Sequence, residues 1–208
     1  MHQEHFLRAF LYDVIIGSVL IEAAPRLPVE RLSLVVALQR AYVPVSAQVL
    51  DREELCVTEG QAAWKLRLDV TCFSHDGNLT DAALIAATAA LQDVHIPELV
   101  LNESGHFCSD PSRVPRALRL SKLAVPLTCG VFDGAVMVDP TDEEERVASV
   151  VTVVRDAITN EICTVVKSGG APVLAPAVLA VCFELASQRA KQLRAVLCAA
   201  DDVNGNPS

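Results

Sequence analysis

The stretch from Leu55 to Leu91, LCVTEGQAAWKLRLDVTCFSHDGNLTDAALIAATAAL, decides the architecture because its hydrophobic period changes partway along. Trp64, Leu66, Leu68 and Val70 alternate with Lys65, Arg67 and Asp69, the period of two expected for a half-buried β-strand. His75-Asp76-Gly77-Asn78 then supplies a turn, since Gly and Asn tolerate positive φ. Asp76 is more often a turn former of this kind than a general base. From Asp81 to Leu91 the chain is rich in Ala and Leu and free of Gly and Pro, the composition of a buried helix.

Downstream, residues 93–120 are interrupted by Pro97, Gly105, Pro111 and Pro115 and form a connecting region with a short strand at 98–101. Two strands, 123–132 and 135–138, flank Asp133-Gly134, a strong hairpin signal. A second pair is expected at 147–154 and 161–166, then a helix from Pro176 to Ala199 after Gly169-Gly170 and Pro172. Upstream, residues 3–12 show helical spacing and residues 14–21 the β-branched content of a buried strand. Pro25 and Pro28 break the chain before a helical stretch at 29–43. Strands, one central helix and a C-terminal helix, with no internal repeat, give a single α+β domain. Residues 201–208 are a polar, flexible tail.

With 51% hydrophobic and 21% charged residues in 208, the body of the chain can pack a core and is not disordered. The formal net charge of −9 argues against a protein that grips nucleic acid unaided. Arg113, Arg116, Arg119 and Lys122 are the nearest thing to a basic stripe and the candidate RNA contacts, although such spacing more often marks a solvated face. Seven cysteines without a C-x-x-C pair are expected to be reduced and mostly buried, as in Leu55-Cys56-Val57 and Val181-Cys182-Phe183. The five histidines lack metal-ligand spacing, and no metal or cofactor is implied. Neither a secretory leader nor an apolar run long enough for a membrane span is visible, so a soluble intracellular protein is expected.

Three blocks in order resemble the RNase PH-like ring subunits of the eukaryotic RNA exosome. The first is the quoted stretch 55–91. The second is VFDGAVMVDPTDEEE (131–145), similar to that family's later hairpin and acidic loop. The third is Val166-Lys167-Ser168-Gly169-Gly170 followed by a long helix. The resemblance covers about residues 31–200 and implies an RNase PH-like (ribosomal protein S5 domain 2-like) fold with a left-handed βαβ crossover. Residues 1–30 form a divergent or shortened segment, without the family's Arg-Pro-Asp-Gly-Arg and with part of the N-terminal sheet missing.

Phosphorolysis needs groups that hold inorganic phosphate beside the RNA 3′ end, and carboxylates for a metal ion or proton. Active members of the family carry Gly-Thr-Arg after the Asp-Gly turn, where this chain has Asn78-Leu79-Thr80. Leu79 and Thr80 supply no cation, and Asp81 is expected to place a negative charge where phosphate would sit. Of two family aspartates six apart, the first falls on Glu145 and the second on Val151. The run Asp139, Asp142, Glu143, Glu144 and Glu145 is more often a solvated loop than a Mg²⁺ site.

The resemblance therefore implies no enzyme but a structural subunit. It would assemble an RNA-threading channel with other ring subunits, especially the ribosomal RNA-processing protein 46 type, and with S1/KH caps. It would support rRNA maturation and mRNA turnover in nucleus, nucleolus and cytoplasm. The alternative is an active phosphorolytic 3′→5′ exoribonuclease. A shortened front would expose a sheet edge and apolar surface, making the isolated chain marginal and dependent on ring neighbours. The purified chain should then aggregate or melt without cooperativity in calorimetry; a sharp two-state melt of a soluble monomer would refute that dependence.

Overall fold

The computed structural model describes residues 15–25, 49–59, 62–72, 74–102, 107–109, 112–170 and 174–203. The expected helices at 3–12 and 29–43 lie outside these residues. Strand β1 (Ile15–Pro25) pairs antiparallel with β3 (Ala62–Cys72) along its whole length, from Ile15 opposite Cys72 to Pro25 opposite Ala62. The strand read at 14–21 is therefore longer than its β-branched core, and it ends where Pro25 removes a backbone donor. Strand β2 (Cys56–Thr58) completes a three-stranded sheet in the order β1-β3-β2.

Helix α1 (Leu79–Gln92) begins two residues before the expected start and packs against both β1 and β8 (Ala124–Phe132). Strand β8 turns at Asp133-Gly134 into β9 (Ala135–Val138); both turn residues have positive φ (48° and 78°), matching the twist of a tight hairpin. Strands β10 (Ser149–Asp156) and β11 (Ile162–Ser168) complete a second sheet in the order β11-β10-β8-β9. The connecting region holds β4 (His95–Ile96), β5 (Leu99–Leu101), β6 (Phe107–Ser109) and β7 (Arg116–Ala117), paired β4–β7 and β5–β6.

Between β9 and β10 the acidic run forms a short helix, α2 (Asp142–Val147), and not the solvated loop expected. Thr141 accepts from the Glu144 N–H while Glu144 accepts from the Thr141 N–H, a capping box that favours acids in the first turn. Helix α3 (Pro176–Val203) runs past Ala199 into the expected tail, taking in Asp201 and Asp202.

The core is layered about the second sheet. Leu127, Cys129 and Val131 of β8 and Val151 and Val153 of β10 pack on Cys182 and Ala186 of α3. Ala124 and Val154 pack instead with Trp64, Leu66 and Leu91. Leu123 and Val125 meet Ala190, Leu193 and Leu197 further along α3. The thiols divide accordingly: Cys129 and Cys182 are buried, but Cys56 and Cys108 are exposed, contrary to the apolar neighbours of Cys56 in sequence.

Asp156 ends β10 and ties it to the start of β8. Its carboxylate accepts from the Leu123, Ile158 and Thr159 N–H groups and from Thr159 Oγ1, at 2.7–3.2 Å. Burial pushes its pKa up, but these donors outweigh burial and hold it below the ordinary value. A depressed acid contributes stability above its unfolded pKa and loses it as pH falls through the folded one. Asp156→Ala should cost about 1–3 kcal/mol in urea unfolding at neutral pH and abolish that part of the acid destabilisation; equal acid sensitivity in the variant would remove Asp156 as its source.

Candidate functional site

The Gly77-Asn78 turn brings the N-terminus of α1 against the segment between β9 and α2. A Cβ on Gly77 (φ +90°) would run into the backbone of Pro140 and Thr141, so this approach needs glycine. Asn78 takes a left-handed conformation (φ 43°) at the N-cap, and its side chain makes no capping bond. Instead its amide donates to Asp139 Oδ1 at 2.7 Å and to Asp81 Oδ2 at 3.1 Å. Its backbone N–H donates to Glu145 Oε1 at 2.8 Å. The positive end of α1 thus receives a carboxylate from α2, where a bound anion would otherwise be favoured.

Asp81 does not carry its charge into the mouth, as the sequence had suggested. It is 5% exposed and turns inward to β8: Oδ1 accepts from Thr128 Oγ1 at 2.6 Å and Oδ2 from the Thr128 N–H at 2.8 Å. Thr128 Oγ1 also bonds to Thr152 Oγ1 across the β8–β10 pair, at 2.8 Å. Burial raises the Asp81 pKa; the Thr128 and Asn78 bonds and the charge of Arg189 oppose that rise without cancelling it. Arg189, on α3, is shifted down by burial, with Asp81 and Asp139 acting against the shift.

The candidate positions separate. Leu79 and Thr80 form the first two residues of α1, half-buried beside Asn78, and Glu145 joins them through the Asn78 N–H. Val151 is fully buried in the apolar layer with Cys129 and Cys182, so it does not meet Glu145 at the surface. A carboxylate at 151 would be buried among apolar side chains and a thiol whose pKa burial already pushes far up. Thr128, Thr152 and Arg189 went unnoticed in the sequence, because a threonine inside a β-branched run gives no signal of its inward partner; Asp139 was noticed only as part of the acidic run.

The basic stripe is largely committed to ion pairs. Arg113 pairs with Glu98, Arg116 with Glu54, also through the Glu54 carbonyl, and Lys122 with Glu161 at 3.8 Å. These pairs are exposed to varying degrees and lie along an irregular segment containing β7, not along a helix face. Arg119 is exposed and has no ion-pair partner among the described residues. No group of three or more metal-ligating side chains is present among the described residues, and no described helix is long and apolar enough to cross a membrane.

Sequence models of the two domains of the 3′ exoribonuclease family match residues 33–97 (domain 1) and 122–189 (domain 2). Together they take in more than half of the chain, which belongs to this RNase PH family. Exosome complex component RRP45 of Danio rerio is 32% identical over 151 residues, 71% of this chain and 38% of that protein. Exosome complex component rrp43 of Schizosaccharomyces pombe is 30% identical over 162 residues, 78% of this chain and 60% of that protein. The chain therefore spans less than two thirds of the length of these relatives. An archaeal exosome core superposes with a TM-score of 0.67 at 23% identity, covering 88% of this chain and 76% of that one. The Archaeoglobus fulgidus exosome with RNA bound to the active site gives 0.64 at 21%, covering 86% and 77%. At those identities the match shows the RNase PH-like α+β fold.

A raised acid makes the folded state favour the protonated form, so stability is full below the unfolded pKa and falls as pH rises through the folded one. Asp81→Asn keeps an acceptor for the Thr128 N–H and a donor for Thr128 Oγ1 without the charge. Its denaturation midpoint should exceed that of the parent at pH 8 and converge with it in acid. Asp81→Leu strands the Thr128 N–H and should cost about 1–3 kcal/mol; parallel pH curves for parent and Asp81→Asn would overturn the raised pKa.

Proposed function

We propose that this chain is a non-catalytic subunit of an RNA exosome ring, supporting 3′-to-5′ RNA processing and degradation by shaping the channel through which RNA threads. The observation that carries the reading is the Glu145 carboxylate on the Asn78 N–H, at the end of α1 where phosphorolysis would need an anion held. Neither Leu79 nor Thr80 brings a cation to that end, and Val151 brings no carboxylate.

Within the ring we assign the chain to the Rrp43 type. RRP45 relatives match as strongly as rrp43, so Rrp45 is the rival assignment. The expected partners are an RNase PH-like neighbour of the Rrp46 type, S1/KH caps and RNA passing through the assembled complex, in nucleus, nucleolus and cytoplasm. Any RNA contact from Arg113, Arg116 or Lys122 would have to compete with Glu98, Glu54 and Glu161, which leaves Arg119 the most available of the four.

Co-expression with the other ring subunits, followed by native mass measurement, tests membership; stoichiometric incorporation is expected, and its absence from an otherwise complete ring would sink the proposal. The purified chain, alone and in the ring, should release no nucleoside diphosphate from 3′-labelled RNA in phosphate buffer. Phosphate-dependent release abolished by Glu145→Ala would instead favour an active exoribonuclease, the activity in the family's name.

A further inference from the structure

The end of the second sheet farthest from Asp156 carries exposed apolar side chains within an acidic rim. Phe132, the last residue of β8, is 53% exposed, and Val147, the last residue of α2, is 66% exposed. The pairing of Ser149 with Val131 sets the chain just before β10 beside the tip of the hairpin, so Val147 and Phe132 belong to one end of the molecule. Ala135 and Val138 of β9 are exposed on the adjoining edge. Among the described residues β9 has one partner strand, β8, and its outer edge remains an edge.

The charge around this patch has one sign. Residues 132–148 contain Asp133, Asp139, Asp142, Glu143, Glu144 and Glu145 against a single Arg146, and Arg146 is paired with Asp142. Glu145 and Asp139 are spent on Asn78, and Glu144 on the cap of α2. Asp133 and Glu143 remain exposed at the rim, and Glu143 shares a helix face with Val147 at i, i+4. Such a surface repels RNA phosphates and disfavours a second copy of itself, since the same acids would face each other. It complements a polypeptide that presents both cations and apolar side chains.

We infer that this hairpin-and-α2 surface, centred on Phe132 and Val147, is a docking site for an extended, basic polypeptide segment of a partner protein. The segment would lie along the β9 edge, set apolar side chains against Phe132 and Val147, and direct lysine or arginine toward Asp133 and Glu143. The apolar contact supplies most of the affinity, and the rim selects the sign of the partner. The side chains that would dock, Phe132, Val147, Asp133 and Glu143, take no part in the Asn78–Glu145 contact, and their use does not depend on ring membership.

The test uses the full chain and two fluorescent ten-residue peptides of equal charge, alternating Lys-Val and alternating Lys-Ser, with an oligouridylate as a third probe. Anisotropy should show binding of the Lys-Val peptide, weakened about tenfold by Phe132→Ser or Val147→Ser and by a similar factor by Glu143→Lys. These exposed positions can change without disturbing the core, and an unchanged far-ultraviolet circular dichroism spectrum of each variant confirms it. Equal binding of the Lys-Ser peptide would reduce the site to diffuse charge and overturn the proposal. So would indifference to all three variants, oligouridylate binding lost in Phe132→Ser, or a concentration-dependent dimer abolished by Phe132→Ser.

Discussion

Among the described residues, the first half of β8 faces no strand on the side away from β10, because β9 pairs only with Cys129 to Phe132. Helix α1 answers that exposed edge with side chains: Thr88 Oγ1 donates to the Ala124 carbonyl, and Asp81 accepts from the Thr128 N–H. A buried strand edge left unsatisfied costs on the order of 1–3 kcal/mol per group, so this pairing fixes where α1 lies. It also requires a carboxylate to be buried, against its hydration, and the bonds from Thr128 and Asn78 offset part of that cost.

The position of α1 has a chemical consequence at its N-terminus. A helix start has unpaired N–H groups and a partial positive charge, the features that hold phosphate in many enzymes. Here the turn at Gly77 abuts the Pro140–Thr141 backbone, which brings α2 close enough for Glu145 to take the Asn78 N–H. The acidic run is thus divided by geometry into carboxylates that hold the fold, Asp139, Glu144 and Glu145, and carboxylates turned to solvent, such as Glu143. A similar commitment governs the cations, since Arg113 and Arg116 anchor the connecting region through Glu98 and Glu54. Net charge alone would predict neither division.

Local pattern was enough for most of the elements, though not for α2. The alternation around Trp64 and Leu66 gives β3, the Ala-rich run gives α1, Asp133-Gly134 gives the hairpin, and the run after Gly169-Gly170 gives α3. These rest on periodicity and φ preference, which neighbours in sequence specify. The α+β class was legible for the same reason, whereas the missing arginine after the Gly77 turn gained its meaning from the family resemblance.

Tertiary structure alone decided which way the polar groups point. Asp81 looked like a charge at the mouth and is an internal acceptor on Thr128. Glu145 and Val151, six apart in sequence, end respectively on the α1 N-terminus and under α3, because a helix-to-strand junction lies between them. Cys56 sits between Leu and Val yet faces solvent, since a strand sends successive side chains to opposite faces and it is Val57, with Leu55 before the strand, that packs on the core. Sequence determined the local backbone states, which depend on contacts a few residues apart. The burial, pairing and ionisation of each side chain depend on distant partners, such as Asn78 and Glu145, 67 positions apart.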